Sequence, residues 1–156
     1  MEISQNRGGS IERALGWMAA ACWLAAWALP VVRGYSGYAA FQAALSGPFR
    51  DVDPISGEKA VAEVLSALTN VAFLLMFLGW LRGRLRRPVL LLKLALLCLV
   101  LDSYWLVEAL RAGEWRELLI GYYLWLAAFA LMVALGGVIA ASDRRTSRTP
   151  TADTPA

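Results

Sequence analysis

The sequence predicts an all-α, polytopic membrane protein: an antiparallel bundle of four transmembrane helices with both termini in the cytoplasm. The first observation is a set of four apolar stretches, residues 14–32, 60–81, 89–110 and 118–141. Each is close to the length of about 20 residues with which a helix crosses a bilayer. The second observation is composition, because 59% of the residues are hydrophobic and 17% are charged. A water-soluble fold of this size has too little interior for so much apolar surface.

The distribution of arginine is the third observation, and it orients the bundle. The N-terminal arm (1–13), the connection 82–88 and the C-terminal tail (142–156) together hold nine arginines. The connections 33–59 and 111–117 hold five basic residues, which are interleaved with acidic ones. Arginine-rich segments stay in the cytoplasm, so we expect the other two connections on the outer side. The layout is similar to that of many small bacterial inner-membrane proteins, so we expect a multi-pass protein of the inner (cytoplasmic) membrane.

The first span follows a polar arm that we expect to be unstructured. Its apolar run resembles a signal peptide, but it continues past the cleavage-like Ala26-Trp-Ala28 to Val32 and is long enough to span, so we expect it to be retained. Small residues recur along one face of this span and along one face of the fourth, a pattern that lets helices approach closely in lipid. We therefore expect the two faces to pair, or to contact another subunit. The residues are Ala14, Met18, Ala21, Ala25 and Ala28 in the first span, and Ala127, Ala130, Ala134, Gly137 and Ala141 in the fourth.

The first outer loop divides into two parts. Tyr35, Tyr38, Phe41 and Leu45 recur at three- and four-residue spacing, which predicts a short amphipathic helix at the membrane interface. Residues 50–58 form a polar turn region whose carboxylates lack the spacing of a calcium-binding loop. We predict no metal site there.

The connection 82–88 is short, basic and ends in Pro88. Its arginines lie between two spans without interleaved aromatic residues, so we expect them to contact anionic lipid headgroups rather than nucleic acid. These arginines are Arg82, Arg84, Arg86 and Arg87. The tail from Ser142 onward is rich in Ser, Thr, Pro and Arg, which predicts a disordered cytoplasmic segment.

Asp102 is the residue whose burial in the membrane is expected to cost the most free energy. It lies about 5 Å from the predicted midplane, too deep for its short side chain to reach either interface. Asn70 stands at a similar depth in the neighbouring antiparallel span, and we predict a hydrogen bond between the two. Ser66, Thr69 and Ser103 are candidate additional partners.

Two interpretations of this polar site remain open. Hydrogen bonds of this kind fix the register of transmembrane helices, whereas intramembrane carboxylates also mark proton, ion or substrate sites. Four glutamates near the outer ends of the spans offer a second candidate feature, a cation entrance if the protein oligomerises, or otherwise a solvated rim. They are Glu63, Glu108, Glu114 and Glu117.

Reactive side chains are scarce. The chain has no histidine, and its two cysteines, Cys22 and Cys98, both fall within spans. Histidine-based haem, zinc and dyad chemistry is therefore excluded, as is a CxxC pair, and we predict no cofactor.

Three functional hypotheses follow. The first is a non-enzymatic subunit, sensor or assembly partner of a larger membrane complex, joined to a partner protein or to further copies of itself. The second is an oligomeric channel or transporter centred on Asp102 and Asn70. The third, an enzyme acting on lipid, lacks an identifiable acid, base or nucleophile pair.

Overall fold

The computed structural model describes residues 3–46, 57–83 and 88–146. Within these ranges the chain forms five α-helices: α1 (Ile3–Ala28), α2 (Gly37–Ser46), α3 (Gly57–Leu81), α4 (Pro88–Ala112) and α5 (Ile120–Thr146). A small antiparallel ribbon of β1 (Pro30–Val32) and β2 (Tyr35–Ser36) joins α1 to α2. A single turn of 3₁₀-helix, Trp115–Glu117, precedes α5.

Three of the helices are long and apolar enough to cross a membrane: Gly57–Leu81, Pro88–Ala112 and Ile120–Arg144. They correspond to the predicted second, third and fourth spans. Helix α1 is not among these three. Its helical part ends at Ala28, before the predicted end at Val32, because Pro30 lacks an N–H and begins the ribbon instead.

Several element boundaries differ from the sequence-based expectation. Helix α1 begins at Ile3, inside the arm expected to be unstructured, and α5 continues to Thr146, inside the expected disordered tail. In both places the helix extends because each added residue gains one backbone hydrogen bond once a helix exists. At the α5 end, the Ser142 hydroxyl also donates to Val138 O at 3.1 Å.

A short helix is present over most of the segment in which the Tyr35 to Leu45 spacing predicts one, since α2 covers Gly37–Ser46. Tyr35 itself lies before the helix, in β2. Three predicted features lie outside the described residues: the polar turn region at 50–56, the arginines Arg84, Arg86 and Arg87, and the tail beyond Thr146. Arg82 is exposed.

The core lies between α1, α3, α4 and α5. Helix α5 packs against both α1 and α4, and α3 packs mainly against α4. The largest fully buried side chains are Phe73, Leu91, Phe129, Met132 and Leu135.

The predicted pairing of the two small-residue faces is wrong. Met18, Ala21 and Ala134 are exposed, whereas Ala19 and Ala128 are fully buried. Both helices carry small residues on more than one side, so their spacing alone does not choose the face that packs. Close approach of α5 to α4 occurs instead at Gly136, where an added Cβ would lie 3.1 Å from Leu92 Cα.

Six aromatic rings form a continuous column along the core, of which Phe73 is buried and the others are partly buried. In order, Trp125 neighbours Trp27 (ring centroids 6.4 Å apart), Trp27 neighbours Trp23 (5.5 Å), and Trp23 stacks on Phe73 (5.1 Å). Phe73 then neighbours Phe77 at 6.4 Å, and Phe77 neighbours Trp80 at 5.6 Å. We call these six rings the aromatic column.

Candidate intramembrane binding cavity

One end of the bundle holds a cavity of about 450 Å³. It lies between α2, α3, α4 and the start of α5, at the end that the arginine distribution predicts to be outer. Helix α4 supplies one wall through residues spaced by three or four, so that they share a helical face. These residues are Asp102, Trp105, Glu108, Ala109 and Ala112.

Two contacts between α3 and α4 set the depth of each residue in the cavity. The Thr69 hydroxyl lies 3.3 Å from Asp102 Oδ1, and the Trp105 indole N–H donates to Ser66 Oγ at 2.9 Å. In this antiparallel register Glu63 lies level with Glu108, one turn closer to the mouth. At 1.5 Å per residue, Asp102 is about 15 Å from Ala112 along the helix axis, which places it at the inner end of the cavity.

The Asp102 carboxyl is buried and has few hydrogen-bond partners. Its side chain lines the cavity although the residue is only 5% exposed. Oδ2 has no hydrogen-bond partner among the described residues. Ser66 lies beside the same carboxyl, and its Oγ accepts from the Trp105 indole, which leaves the Ser66 hydroxyl proton free to donate.

The contact at Oδ1 is also incomplete. The Thr69 hydroxyl lies 2.6 Å from Ser66 O and 3.3 Å from Asp102 Oδ1, and both atoms are acceptors. A hydroxyl has one proton to donate, and the shorter contact is to the backbone carbonyl. Thr69 therefore gives Asp102 at most the weaker share of one donor, and the Ser66 hydroxyl is the other donor beside the carboxyl. A carboxylate has about four acceptor sites, so capacity for a further donor remains.

The predicted hydrogen bond between Asn70 and Asp102 is not formed. Asn70 Oδ1 instead accepts from the Trp23 indole at 3.0 Å, and its amide group faces the carbonyls of Ser66 and Ala67 at 3.4 and 3.3 Å. Successive residues of a helix point about 100° apart, so adjacent residues of α3 face different helices. Thr69 faces α4, and Asn70 faces α1.

The other predicted partner on α4 is also directed elsewhere. Ser103 donates to Leu99 O, one turn back in its own helix, at 2.7 Å. The structure therefore brings Thr69 and Ser66 to Asp102, and leaves Asn70 and Ser103 outside that group.

Tyr122 fixes α5 at the level of Asp102. Its hydroxyl donates to the backbone carbonyl of Asp102 at 2.7 Å, and the residue is buried. Nearby, Leu119 N donates to Val31 O at 2.9 Å, so the β-ribbon holds the start of α5 in place. This role of Tyr122 was not predicted from the sequence. Trp125 and Leu126, which also line the cavity, follow Tyr122 by three and four residues. This spacing places the three side chains on one helical face and was the sequence pattern that could have indicated the role.

The four glutamates predicted as an outer rim all line this cavity within a single chain. Glu108 pairs with Arg111 at 3.0 Å, and Glu117 pairs with Arg33 at 3.4 Å. Both arginines are largely exposed, so these pairs are screened by water and contribute little to stability. The four glutamates therefore gather at one mouth without a second chain.

Glu114 reaches the rim through the way α4 ends. Gly113 adopts φ 74°, Gly113 N donates to Leu110 O, and Glu114 N donates to Ala109 O. This pair of bonds is a Schellman ending, which satisfies carbonyls of the last turn and turns the chain toward α5. Glycine at position 113 thus positions the carboxylate that follows it.

The walls between the rim and Asp102 are mainly apolar and aromatic. Phe41 and alanines of α2 close one side, and Trp105, Leu118 and Trp125 line the others. Across the described part of the chain, no three His, Cys, Asp or Glu side chains are placed to hold a metal ion. The arrangement therefore suits an organic molecule that presents a hydrogen-bond donor to Asp102.

Comparison of the chain with known protein families, with curated proteins and with solved structures finds no match.

Proposed function

We propose that the chain is a non-enzymatic membrane sensor or binding subunit whose ligand occupies the cavity that ends at Asp102. The observation that carries this proposal is a chamber of about 450 Å³ with a buried, incompletely bonded carboxyl at its inner end. Its volume falls in the range of about 300–1,000 Å³ that is typical of small-molecule sites. Apolar walls with a few convergent polar groups are also typical of such sites.

A screen of small molecules by thermal stability tests this proposal. The protein, purified in mild detergent, is compared with Ala109→Phe, which fills the cavity wall, and with Ala130→Phe, which adds the same bulk at an exposed position of α5. Compounds that raise the melting temperature of wild type and Ala130→Phe are expected to have no effect on Ala109→Phe. The proposal fails if no compound stabilises the wild type, or if Ala109→Phe responds equally.

The topology is also part of the proposal: α1 is the fourth membrane-spanning helix, and both termini lie in the cytoplasm of a bacterial cell. The support is the arginine distribution and the apolar run that continues from α1 into the ribbon. Cysteine variants at the exposed positions Arg116 and Ser10, made without the native cysteines, test it. A membrane-impermeant thiol reagent applied to spheroplasts with an intact inner membrane is expected to label position 116 but not position 10. The reverse pattern, or labelling of both, contradicts the orientation.

A partner within the membrane completes the proposed role. The exposed small residues of α1 and α5 support lateral contact with another membrane protein or a second copy, because such faces allow close helix approach in lipid. Native mass spectrometry from mild detergent is expected to show a mass above that of one 17.0 kDa chain. A strictly monomeric particle contradicts this part of the proposal.

Transport is a second candidate function. The observation that favours it is that the cavity gives Asp102, near the middle of a membrane-spanning helix, an approach from one end of the bundle. Vesicles containing the protein would then accumulate the cavity ligand, and Asp102→Asn would abolish that uptake. Ligand binding without any flux favours the sensor role instead.

A further inference from the structure

We infer that the ligand of this cavity is an organic amine whose ammonium group binds Asp102 while its apolar body lies between the aromatic walls. The inference rests on the function proposed above, because it requires that the cavity be a binding site. It adds the chemical class of the ligand.

The Asp102 carboxyl has room for a further hydrogen-bond donor. Asp102 is nine-tenths or more buried, its Oδ2 has no partner among the described residues, and Oδ1 shares one hydroxyl proton with Ser66 O. A buried carboxylate needs hydrogen bonds or a counter-charge. No salt bridge to Asp102 occurs in the described part of the chain. A ligand ammonium offers several N–H donors and the opposite charge in one group.

The surroundings of the Asp102 carboxyl are mainly aromatic and apolar. Trp105 and Tyr122 line the cavity beside Asp102, and Phe41, Leu118 and Trp125 line its wider part. Aromatic rings attract cations to their faces and accept apolar groups against them. A neutral apolar molecule would leave Oδ2 without a donor, and an anion would be repelled by it.

The mouth of the cavity is the route of entry. Four glutamates and Lys59 line it, and two of the glutamates, Glu108 and Glu117, are paired with arginines. The carboxylates offer an entering ammonium the opposite charge, whereas the paired arginines reduce the attraction of the mouth as a whole. The lack of a multidentate carboxylate group in the described residues disfavours a bare metal ion.

Three matched probes test the inference: tryptamine, tryptophol and indolepropionate, which carry an ammonium, a hydroxyl and a carboxylate on the same indole body. Binding to the full-length protein in lipid nanodiscs is measured by isothermal titration, with empty nanodiscs as the blank. Tryptamine is expected to bind wild type at least about tenfold more tightly than tryptophol, because both can donate a hydrogen bond to the carboxyl and only the ammonium adds the opposite charge. Indolepropionate is expected not to bind.

Asp102→Asn keeps the shape of the side chain and removes its charge. Tryptamine is expected to lose its advantage over tryptophol in this variant, and Glu58→Gln, an exposed position on α3 outside the cavity lining, is expected to keep it. Equal binding of tryptamine and tryptophol to wild type overturns the amine inference but leaves the binding cavity standing. Binding of none of the probes, together with a failed thermal-stability screen, overturns both. If Asp102→Asn does not fold, the comparison of the three probes on wild type decides the question alone.

Discussion

Two neighbouring leucines on α4 provide a sharp test of the packing. Leu91 is 1% exposed and belongs to the central core, whereas Leu90 is 57% exposed on the outer surface of the same helix. Substitution of either by alanine removes the same atoms from the same helical turn. Only the environment of the lost side chain differs.

The expected magnitude follows from what replaces the side chain. At about 24 cal/mol per Å³, an unrelaxed void of about 80 Å³ at position 91 destabilises the protein by about 2 kcal/mol. The transfer part of the usual leucine-to-alanine effect is small here, because lipid tails are as apolar as leucine. At position 90 lipid fills the space, so we expect a change within about 0.5 kcal/mol.

Reversible unfolding in bicelles, followed by tryptophan fluorescence and circular dichroism, measures both variants. Equal losses for Leu90→Ala and Leu91→Ala would mean that α4 presents a different face to the core. A loss near 5 kcal/mol at position 91 would refute the argument that the transfer part is small.

Two further substitutions test how the cavity is held together. Tyr122→Phe removes the hydroxyl that donates to the Asp102 carbonyl at 2.7 Å, so we expect a loss of about 1 kcal/mol in the same unfolding assay, while Tyr123→Phe at the exposed neighbouring position changes little. Gly37→Ala places a methyl group against Ala26 O and 2.8 Å from Trp27 Cα, so we expect α2 to separate from α1. Faster proteolysis within α2 reports this separation, and Gly57→Ala, whose Cβ meets nothing within 4 Å, should cleave at the wild-type rate.

The helical membrane class could be predicted from the sequence because it depends on quantities that a sequence states directly. The length and composition of α3, α4 and α5 suffice to identify them as apolar helices of membrane-spanning length. The spacing of Tyr38, Phe41 and Leu45 was sufficient in the same way for α2, although Tyr35, which continues the same pattern, lies in β2. The helix ends were predicted less accurately. Ser142, which was expected to begin the disordered tail, lies inside α5 and donates its hydroxyl to Val138 O.

The candidate site could be predicted only in part. Burial cost alone singled out Asp102, which the structure places at the inner end of the cavity. The choice between Thr69 and Asn70 as its neighbour depends on a rotation of α3 by one residue, which the depth of the two residues does not determine. The gathering of distant glutamates at one mouth depends on the ending of α4 at Gly113 and on the position of α2, and both are tertiary features.

The aromatic column has a mechanical consequence for the proposed sensor. Trp125 belongs both to the cavity wall and to the column, which continues through Trp27, Trp23 and Phe73 to Trp80 at the opposite end of the bundle. Rings in contact restrict one another's rotation. A ligand that rotates Trp125 would therefore displace Trp27 first, and the line of ring contacts runs on from there to Trp80, at the end of the bundle opposite the mouth.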